Sequence, residues 1–465
     1  GLFVGPVLMA ILVAVWREMQ LNQRSAPDLY LDVLPIFGSA ENPSFQGDGE
    51  IIEYALKMRE FPQSQLLDEV QNRGELSDAL IDQLAEQVAQ LHTSTPSIDP
   101  KHPLNSVDAI AAPMIQNFEQ IRPLLSDKAD IAQLDVLEEW TNSTLQRLHR
   151  TLQARCDQGA IRECHGDLHL GNTTLLNGDV VLFDCIEFNE PFRIIDIAYD
   201  AAFIIMDLED RGLKSQARRF MNTWLEQTGD YQSLSLINLY KATRALVRAK
   251  VNLFRLGQEE DAVQRSVILR QYRRYAQLAE NYSALPNRFL VITHGLSGVG
   301  KSLASLRLVE SLGAVRIRSD KERKRLFPDA DSATLYSAEA SKATYARLNE
   351  LAIEALQAGF PVILDATFLK HEDRQEAAEV AHQQGVPFLI INCQAPIPVI
   401  RPWLAERSAQ GNDISDATLE VMEQQRAVIQ DLTEQEVATS QLVETHNPQS
   451  LDALLERFRL RFPSL

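Results

Sequence analysis

The sequence predicts an α/β chain of two domains: a mostly helical α+β domain over residues 1–286, then a doubly wound parallel sheet of the P-loop NTPase type over residues 287–465. Three observations carry this. Phe289 to Thr293 reads as a buried strand, and Gly295-Leu296-Ser297-Gly298-Val299-Gly300-Lys301-Ser302 follows it as a glycine-rich turn opening a helix. Beyond that turn, short apolar runs alternate with helical patterns, as parallel strands joined by crossover helices do. Before it, helical periodicity dominates, broken by a loop, His165-Gly166-Asp167-Leu168-His169-Leu170-Gly171-Asn172, among short strands.

In the first domain, residues 17–35 read as a helix that turns into Tyr30–Leu34. Residues 51–58 read as a strand, and Leu66 to His92 has helical spacing. Residues 107–155 read as two helices, with Trp140, Leu145, Leu148 and Leu152 on one face of the second. Asn177-Gly178 is a hairpin turn between Thr174–Leu176 and Val180–Phe183. A long helical stretch, 196–282, ends at Leu285-Pro286-Asn287. In the second domain, strands 289–294, 315–317, 362–364 and 388–392 alternate with helices 302–312, 338–358 and 372–384, the last two stopped by Gly359 and Gly385. Helices fill the remainder.

Hydrophobic residues make up 45% and charged residues 23%, the balance of a folded, water-soluble chain. The net charge is −19, of which −14 falls before residue 287 and −5 after it. Such a first half repels polyanions and attracts cationic small molecules. The four cysteines, Cys156, Cys164, Cys185 and Cys393, form no CxxC pair, which argues against structural zinc and fits a reducing, cytoplasmic compartment. Gly1 to Trp16 is almost wholly apolar, but it is shorter than the roughly 20 residues of a membrane span, and no basic stretch precedes it. It reads as a helix or strand buried in the first domain, with a membrane anchor as the alternative.

The second domain's motif carries phosphate chemistry. Gly295, Gly298 and Gly300 let backbone N–H groups curl around a phosphate, with Leu296, Ser297 and Val299 completing the loop. Lys301 would bridge the β- and γ-phosphates of ATP, and Ser302 would hold Mg²⁺. Asp320, beyond the second strand, stands where open α/β sheets bind ligands and would take the proton of an acceptor hydroxyl. Arg323, three residues on, would share its helix face. The alternative is an Asp N-cap before a solvated basic helix. Asp365 ends a strand as a second Mg²⁺ ligand or a simple turn residue. Arg401 and Arg407 sit on a later helix, either closing over phosphates or exposed to solvent.

The first domain's loop has a second phosphoryl-transfer set. Asp167 would accept the hydroxyl proton, and Asn172, five residues on, would hold Mg²⁺. Asp184, closing Val181-Leu182-Phe183-Asp184, would hold the same metal. His165 buttresses the loop, and His169 is either exposed or a substrate contact.

Two resemblances add to this. Residues 289–435 resemble the AAA-type P-loop kinases grouped with zeta-toxin and polynucleotide 5′-kinase domains, through GLSGVGKS, the Asp320/Arg323 pair, Leu364 to Thr367 and the Arg401/Arg407 region. That resemblance implies a base role for Asp320 and a lid role for Arg401 and Arg407. Cys164 to Asn172, Leu182 to Asn189, Glu53 to Arg59 and Arg244 to Lys250 resemble the aminoglycoside phosphotransferase and choline kinase family. The whole chain resembles a bifunctional fusion of the two kinds of domain. The second resemblance implies a protein-kinase-like fold, an interlobe hinge at 53–61 and a brace of the catalytic loop by Asp200. It also asks for a strand lysine paired with a helix glutamate. Glu18 fits the glutamate, no lysine precedes it, and Lys57 falls in the expected hinge, so the N-terminal lobe reads as reduced.

The expectation is an ATP- and Mg²⁺-dependent kinase with a small-molecule hydroxyl acceptor, cationic if the first half selects it, and no membrane partner. Two alternatives stand beside it. One is a nucleic-acid 5′-hydroxyl kinase using Arg316, Arg318, Lys321, Arg323, Lys324 and Arg325, which the net charge disfavours. The other is an ATP-binding regulatory protein with a pseudokinase first domain.

Overall fold

The computed structural model describes residues 4–47, 49–284, 287–410 and 419–462. The chain forms two units, one made of Gly1–Leu213 and Leu236–Ser283, the other of Lys214–Ser235 and Ala284–Leu465. It passes into the second unit for the last time at Ala284. Leu285 and Pro286, where the boundary is expected, lie outside the described residues. The helix Lys214–Thr228 is a piece of the second unit delivered earlier in the sequence.

In the first unit, a helix, Val4–Gln23, precedes three antiparallel strands, β1 (Tyr30–Ser39), β2 (Asn42–Ser44) and β3 (Ile51–Met58), in the order β2-β1-β3. Met19, Ala26, Leu29 and Tyr30 are buried, with Val33, Leu56 and Phe183 packed on them. The helix is not enclosed as expected: Met9, Val13 and Trp16 are exposed along its outer face, since only its C-terminal turns meet the sheet core. No helix among the described residues is long and apolar enough to cross a membrane. The hinge expected at 53–61 is also corrected. Residues 51–58 pair along β1, with Lys57 opposite Asp32, so the strand pattern continues to Met58.

Helices make up most of the rest of this unit. The stretch 66–92 is two helices, Leu67–Asn72 and Asp78–Ser94, split at Gly74 with φ 73°. The helical stretch expected over 196–282 is divided into several helices, the first ending before Gly212, whose φ of 81° suits glycine without strain. Asn177 and Gly178 take φ of 57° and 93° between β5 (Thr173–Leu176) and β6 (Asp179–Leu182), the paired left-handed residues of a tight hairpin turn. β4 (Ile161–Glu163) pairs antiparallel with β7 (Ile194–Asp196) and brackets the His165 loop.

The second unit is a five-stranded, wholly parallel sheet, with β8 (Leu290–His294), β9 (Val315–Arg318), β10 (Val362–Asp365), β11 (Phe388–Gln394) and β12 (Ser440–Glu444) in the order β12-β11-β8-β10-β9. β8 and β10 are buried along their whole length, as parallel strands covered on both faces must be. β12 corrects the expectation that helices fill the C-terminal stretch. Its edge position leaves only Val443 buried, so its sequence lacks a continuous apolar run.

Asp196 shows how the first unit fixes its site. It caps the helix Ile197–Asp210 by accepting from Ala198 N at 2.9 Å. The same buried carboxylate takes Arg155 at 2.6 and 2.9 Å and the Tyr240 hydroxyl at 3.0 Å. Asp196→Ala leaves the Arg155 guanidinium buried without its counter-charge and should cost about 3–5 kcal/mol. Urea denaturation of the full chain measures it. A loss below about 1 kcal/mol, the range of an exposed pair, would contradict the account.

Candidate functional site

The five parallel strands deliver their loops to one edge, where a cavity of about 410 Å³ opens. Ser297, Gly298, Gly300, Lys301 and Ser302 line it from the loop after β8. Arg318, Ser319 and Asp320 line it from the end of β9, and Asp365, Ala366 and Thr367 from the end of β10. This is where a switch in strand order leaves a crevice in open α/β sheets.

The loop's path depends on glycine. Gly295, Gly298 and Gly300 have φ of 141°, 84° and 86°. A Cβ on Gly295 would sit 2.5 Å from Cys393 O, and one on Gly298 2.8 Å from the Leu404 side chain. Val299 is buried in the core and Leu296 packs against it, so the apolar loop residues anchor while the others face the cavity. Gly300 caps the helix Lys301–Leu312, whose free N–H groups favour an anion. Lys301 Nζ donates to Leu296 O at 2.7 Å, which holds the ammonium across the loop. Asp365 is buried, and its Oδ2 accepts from Ser305 Oγ at 3.0 Å. The Ser302 hydroxyl and the Asp365 carboxylate are hard oxygen donors that both line the cavity, donor types that fit Mg²⁺.

Several expected residues fall elsewhere. Arg323 is buried and does not line the cavity: its Nη1 donates to Leu335 O at 2.7 Å and Ser341 Oγ at 3.3 Å, fastening the next segment of chain. One helical turn separates it from Asp320, yet its long side chain leans away from the strand ends. Arg401 is exposed on the helix Ile397–Gln410 and lies outside the lining. Trp403, two residues on, is in it. The Arg407 side chain lies outside the described residues.

Sequence reasoning missed the loop's supports. Gln425 clasps Ser297, accepting from its N–H at 2.7 Å and donating to its Oγ at 2.9 Å. The Thr445 hydroxyl, just past β12, donates to Val299 O, and its side chain lies against Gly300. Buried Arg374 donates to Phe368 O and Leu369 O and pairs with Glu436, fixing the segment after Thr367. Only the position of Trp403 carried a signal, an aromatic between two arginines already singled out.

In the first unit the expected catalytic loop is held at its start by Asp200. Its carboxylate accepts from His165 N at 3.0 Å, Gly166 N at 2.9 Å and His92 Nε2 at 3.1 Å. Burial works to raise this carboxyl, but the His92 hydrogen bond and the electrostatic influence of His92, His165 and Arg244 overcome it and hold the pKa at about 2. His92, Cys164 and Asp200 form the one metal-sized cluster of such groups among the described residues, and these bonds already occupy Asp200. Arg244 Nη1 adds a bond to Gly166 O at 3.0 Å. His165 is buried, which lowers its pKa, and its ring Nε2 donates to Phe183 O at 2.9 Å, beside Asp184.

His169 Nδ1 accepts from Gly171 N at 3.1 Å, which assigns the ring proton to Nε2, 3.5 Å from Asp167 Oδ2. Burial pushes the Asp167 carboxyl up, while His169 and more distant cations outweigh this and leave it below the ordinary value. The two expected metal ligands of this unit, Asn172 and Asp184, sit in different surroundings. Asn172 Nδ2 donates to Asp167 Oδ2 at 3.2 Å, whereas Asp184 is exposed with φ 62°. Its N–H is held by the Tyr30 hydroxyl at 3.0 Å and the next N–H by Asn22 at 2.9 Å. The helix carrying Glu18 thus steadies the Asp184 turn.

Comparisons with known proteins match two separate stretches of the chain. Residues 18–237 match the family described as the phosphotransferase enzyme family, and residues 290–432 match the AAA domain. An uncharacterized protein of Mycobacterium tuberculosis is 28% identical over 418 residues, covering 87% of this chain and 80% of that protein. A protein of Mycobacterium bovis, also uncharacterized, matches to the same extent. Among solved structures, an APS kinase of M. tuberculosis in complex with AMPPNP and APS is 21% identical, covers 37% of this chain and 99% of its own, and has a TM-score of 0.28. A gluconokinase of Sinorhizobium meliloti is 16% identical, with 38% and 98% coverage and a TM-score of 0.28.

Asp200 sets an acid-side stability limit. Its folded pKa lies below the unfolded value of 3.8, so its contribution is complete above that value and is lost as pH falls through about 2. Unfolding free energy followed by circular dichroism between pH 5 and pH 2, bounds chosen to span that window, should show a shallower acid-side fall for Asp200→Asn than for wild type. Equal slopes would mean that the carboxylate is not held as described.

Proposed function

The chain joins a domain of the phosphotransferase enzyme family to a P-loop kinase-like domain of the AAA type, and from that premise we propose that it transfers the terminal phosphoryl group of ATP to a hydroxyl of a small polar molecule in the cavity beside Lys301. One observation carries the reading: Lys301, Ser302, Asp365 and Asp320, from three separate strand ends, line one cavity.

In this reading the loop amides and Lys301 bind the phosphates, and Asp320 accepts the acceptor's proton as the new O–P bond forms. The bond from the γ-phosphorus to the bridging oxygen breaks, and ADP carries that electron pair away. A Mg²⁺ ion held by Ser302 and Asp365 would neutralise charge on the phosphate oxygens. No hydrogen bond to the Asp320 carboxylate occurs among the described residues, which suits a group reserved for a substrate proton.

The nucleic-acid alternative is weakened by what its basic cluster does. Arg316 and Arg323 are buried, Arg318 faces Glu226, and Arg325 pairs with Glu322. Two of these four cations are buried and the other two face carboxylates, which disfavours an open phosphodiester track through them.

In the first unit, burial raises the pKa of Glu18, and the neighbouring carboxylates Glu187 and Asp184 raise it further.

A metabolite-library screen for ATP consumption, run on wild type, Asp167→Ala and Lys301→Ala, tests this. Lys301→Ala should lose about 10²-fold or more of any acceptor-dependent turnover, and Asp167→Ala should retain most of it. The reverse pattern would move the chemistry to the first unit. Asp320→Asn should keep ATP binding but slow transfer. Wild-type rates in that variant would remove its proton-accepting role.

A further inference from the structure

β9 is the edge of the parallel sheet, so its outer backbone groups have no strand to pair with. The helix Lys214–Thr228 covers that edge. Asn222 Oδ1 accepts from Arg316 N at 2.7 Å, and Asn222 Nδ2 donates to Ala314 O at 3.2 Å. One side-chain amide thereby supplies the donor and the acceptor that a sixth strand would give.

Two more residues at four-residue spacing share that helix face. Arg218 Nη1 donates to Glu310 O at 3.0 Å and Ser311 O at 2.7 Å, capping the carbonyl end of the helix Lys301–Leu312. Glu226, buried, accepts at Oε1 from Arg316 Nε at 2.8 Å and lies 2.7 Å from Arg316 Nη2. Its other oxygen is 3.6 Å from Arg318 Nη1, and Arg318 lines the cavity. The third nitrogen of Arg316, Nη1, donates to Ser302 O at 3.2 Å. A continuous path thus runs from Glu226 through Arg316 to the backbone of Ser302.

We propose that Glu226 is a positioning residue of the P-loop site: by fixing Arg316 it holds Ser302 in place for its metal, and by facing Arg318 it sets the charge at the acceptor end of the cavity. The helix that carries it, though embedded in the stretch matching the phosphotransferase family, is a working part of the P-loop half. This inference rests on the proposed nucleotide role of the cavity.

The physical reason is rigidity. A guanidinium has a planar fork of donors, so anchoring one side of it by a carboxylate directs the remaining nitrogen. Glu226→Gln keeps the shape and one accepting oxygen but removes the charge that fixes both arginines. Arg316→Lys keeps a cation opposite Glu226 but cannot bond Glu226 and Ser302 together.

The test is calorimetry with AMPPNP on the full chain, with and without Mg²⁺. The set is wild type, Lys301→Ala, Glu226→Gln, Arg316→Lys and the Glu226→Gln/Arg316→Lys double variant. Folding of each is checked by circular dichroism. Wild type should bind in a Lys301-dependent manner. Glu226→Gln and Arg316→Lys should each weaken the Mg²⁺-dependent binding about tenfold, and the double variant should be no weaker than the worse single one, because both act through one contact. Binding measured without Mg²⁺ should change less, a split that general destabilisation would not produce.

Should Glu226→Gln fail to fold, Arg316→Lys reads the same contact. Wild-type affinity in whichever single variant folds, or losses that simply add in the double variant, would overturn the inference alone. A wild-type titration that Lys301→Ala leaves unchanged would overturn the nucleotide role of the cavity, and the inference with it.

Discussion

The backbone path from Gly295 to Gly300 is the constraint on which the second unit's site depends. Three residues there have positive φ, and each lies so close to a neighbour that a single added carbon would collide with it. The neighbours come from other strand ends: Cys393 from β11, Leu404 from the helix after it, and Thr445 from just beyond β12. The loop is therefore shaped by the whole sheet edge. Its free N–H groups and the Lys301 ammonium acquire a fixed direction, and positioned dipoles of this kind stabilise phosphate charge without reorganising. The carboxylates Asp320 and Asp365 reach the same cavity because β9 and β10 end level with β8 in a parallel register.

The first unit solves a similar problem with a buried carboxylate. Asp200 receives two consecutive backbone N–H groups of the His165 loop and a hydrogen bond from His92, with the Arg244 guanidinium nearby. A carboxylate so placed is costly to bury and is retained because its hydrogen bonds are complete. On the other side of the loop, Tyr30 and Asn22 hold the turn at Asp184 and Cys185. The start of the loop and the separate turn at Asp184 are thus both fixed by side chains far away in sequence.

The same physics decides how much was legible in the sequence. The glycine loop, Lys301, Ser302, Asp365 and the hairpin at Asn177-Gly178 depend on local rules, because φ, turn type and strand ends are written in a few adjacent residues. The Asp167–Asn172 pair was legible for the same reason. Gln425, Thr445 and Glu226 were not, since each meets its partner across a long stretch of chain or at an unpredicted strand. β12 escaped because an exposed edge strand lacks the apolar run that marks a buried one. Arg323 shows the limit of spacing arguments. Its backbone position beside Asp320 was as expected, but a long side chain can leave the face on which it starts, and tertiary contacts with Leu335 and Ser341 decided its direction.

A crystal structure of the full chain with Mg²⁺ and AMPPNP tests the central claim most directly. The account requires the terminal phosphate to lie within hydrogen-bonding distance of Lys301 Nζ and the loop amides, with the metal on Ser302 and Asp365 and an acceptor-sized space facing Asp320. A nucleotide bound with its phosphates away from the Gly295–Ser302 loop would contradict it.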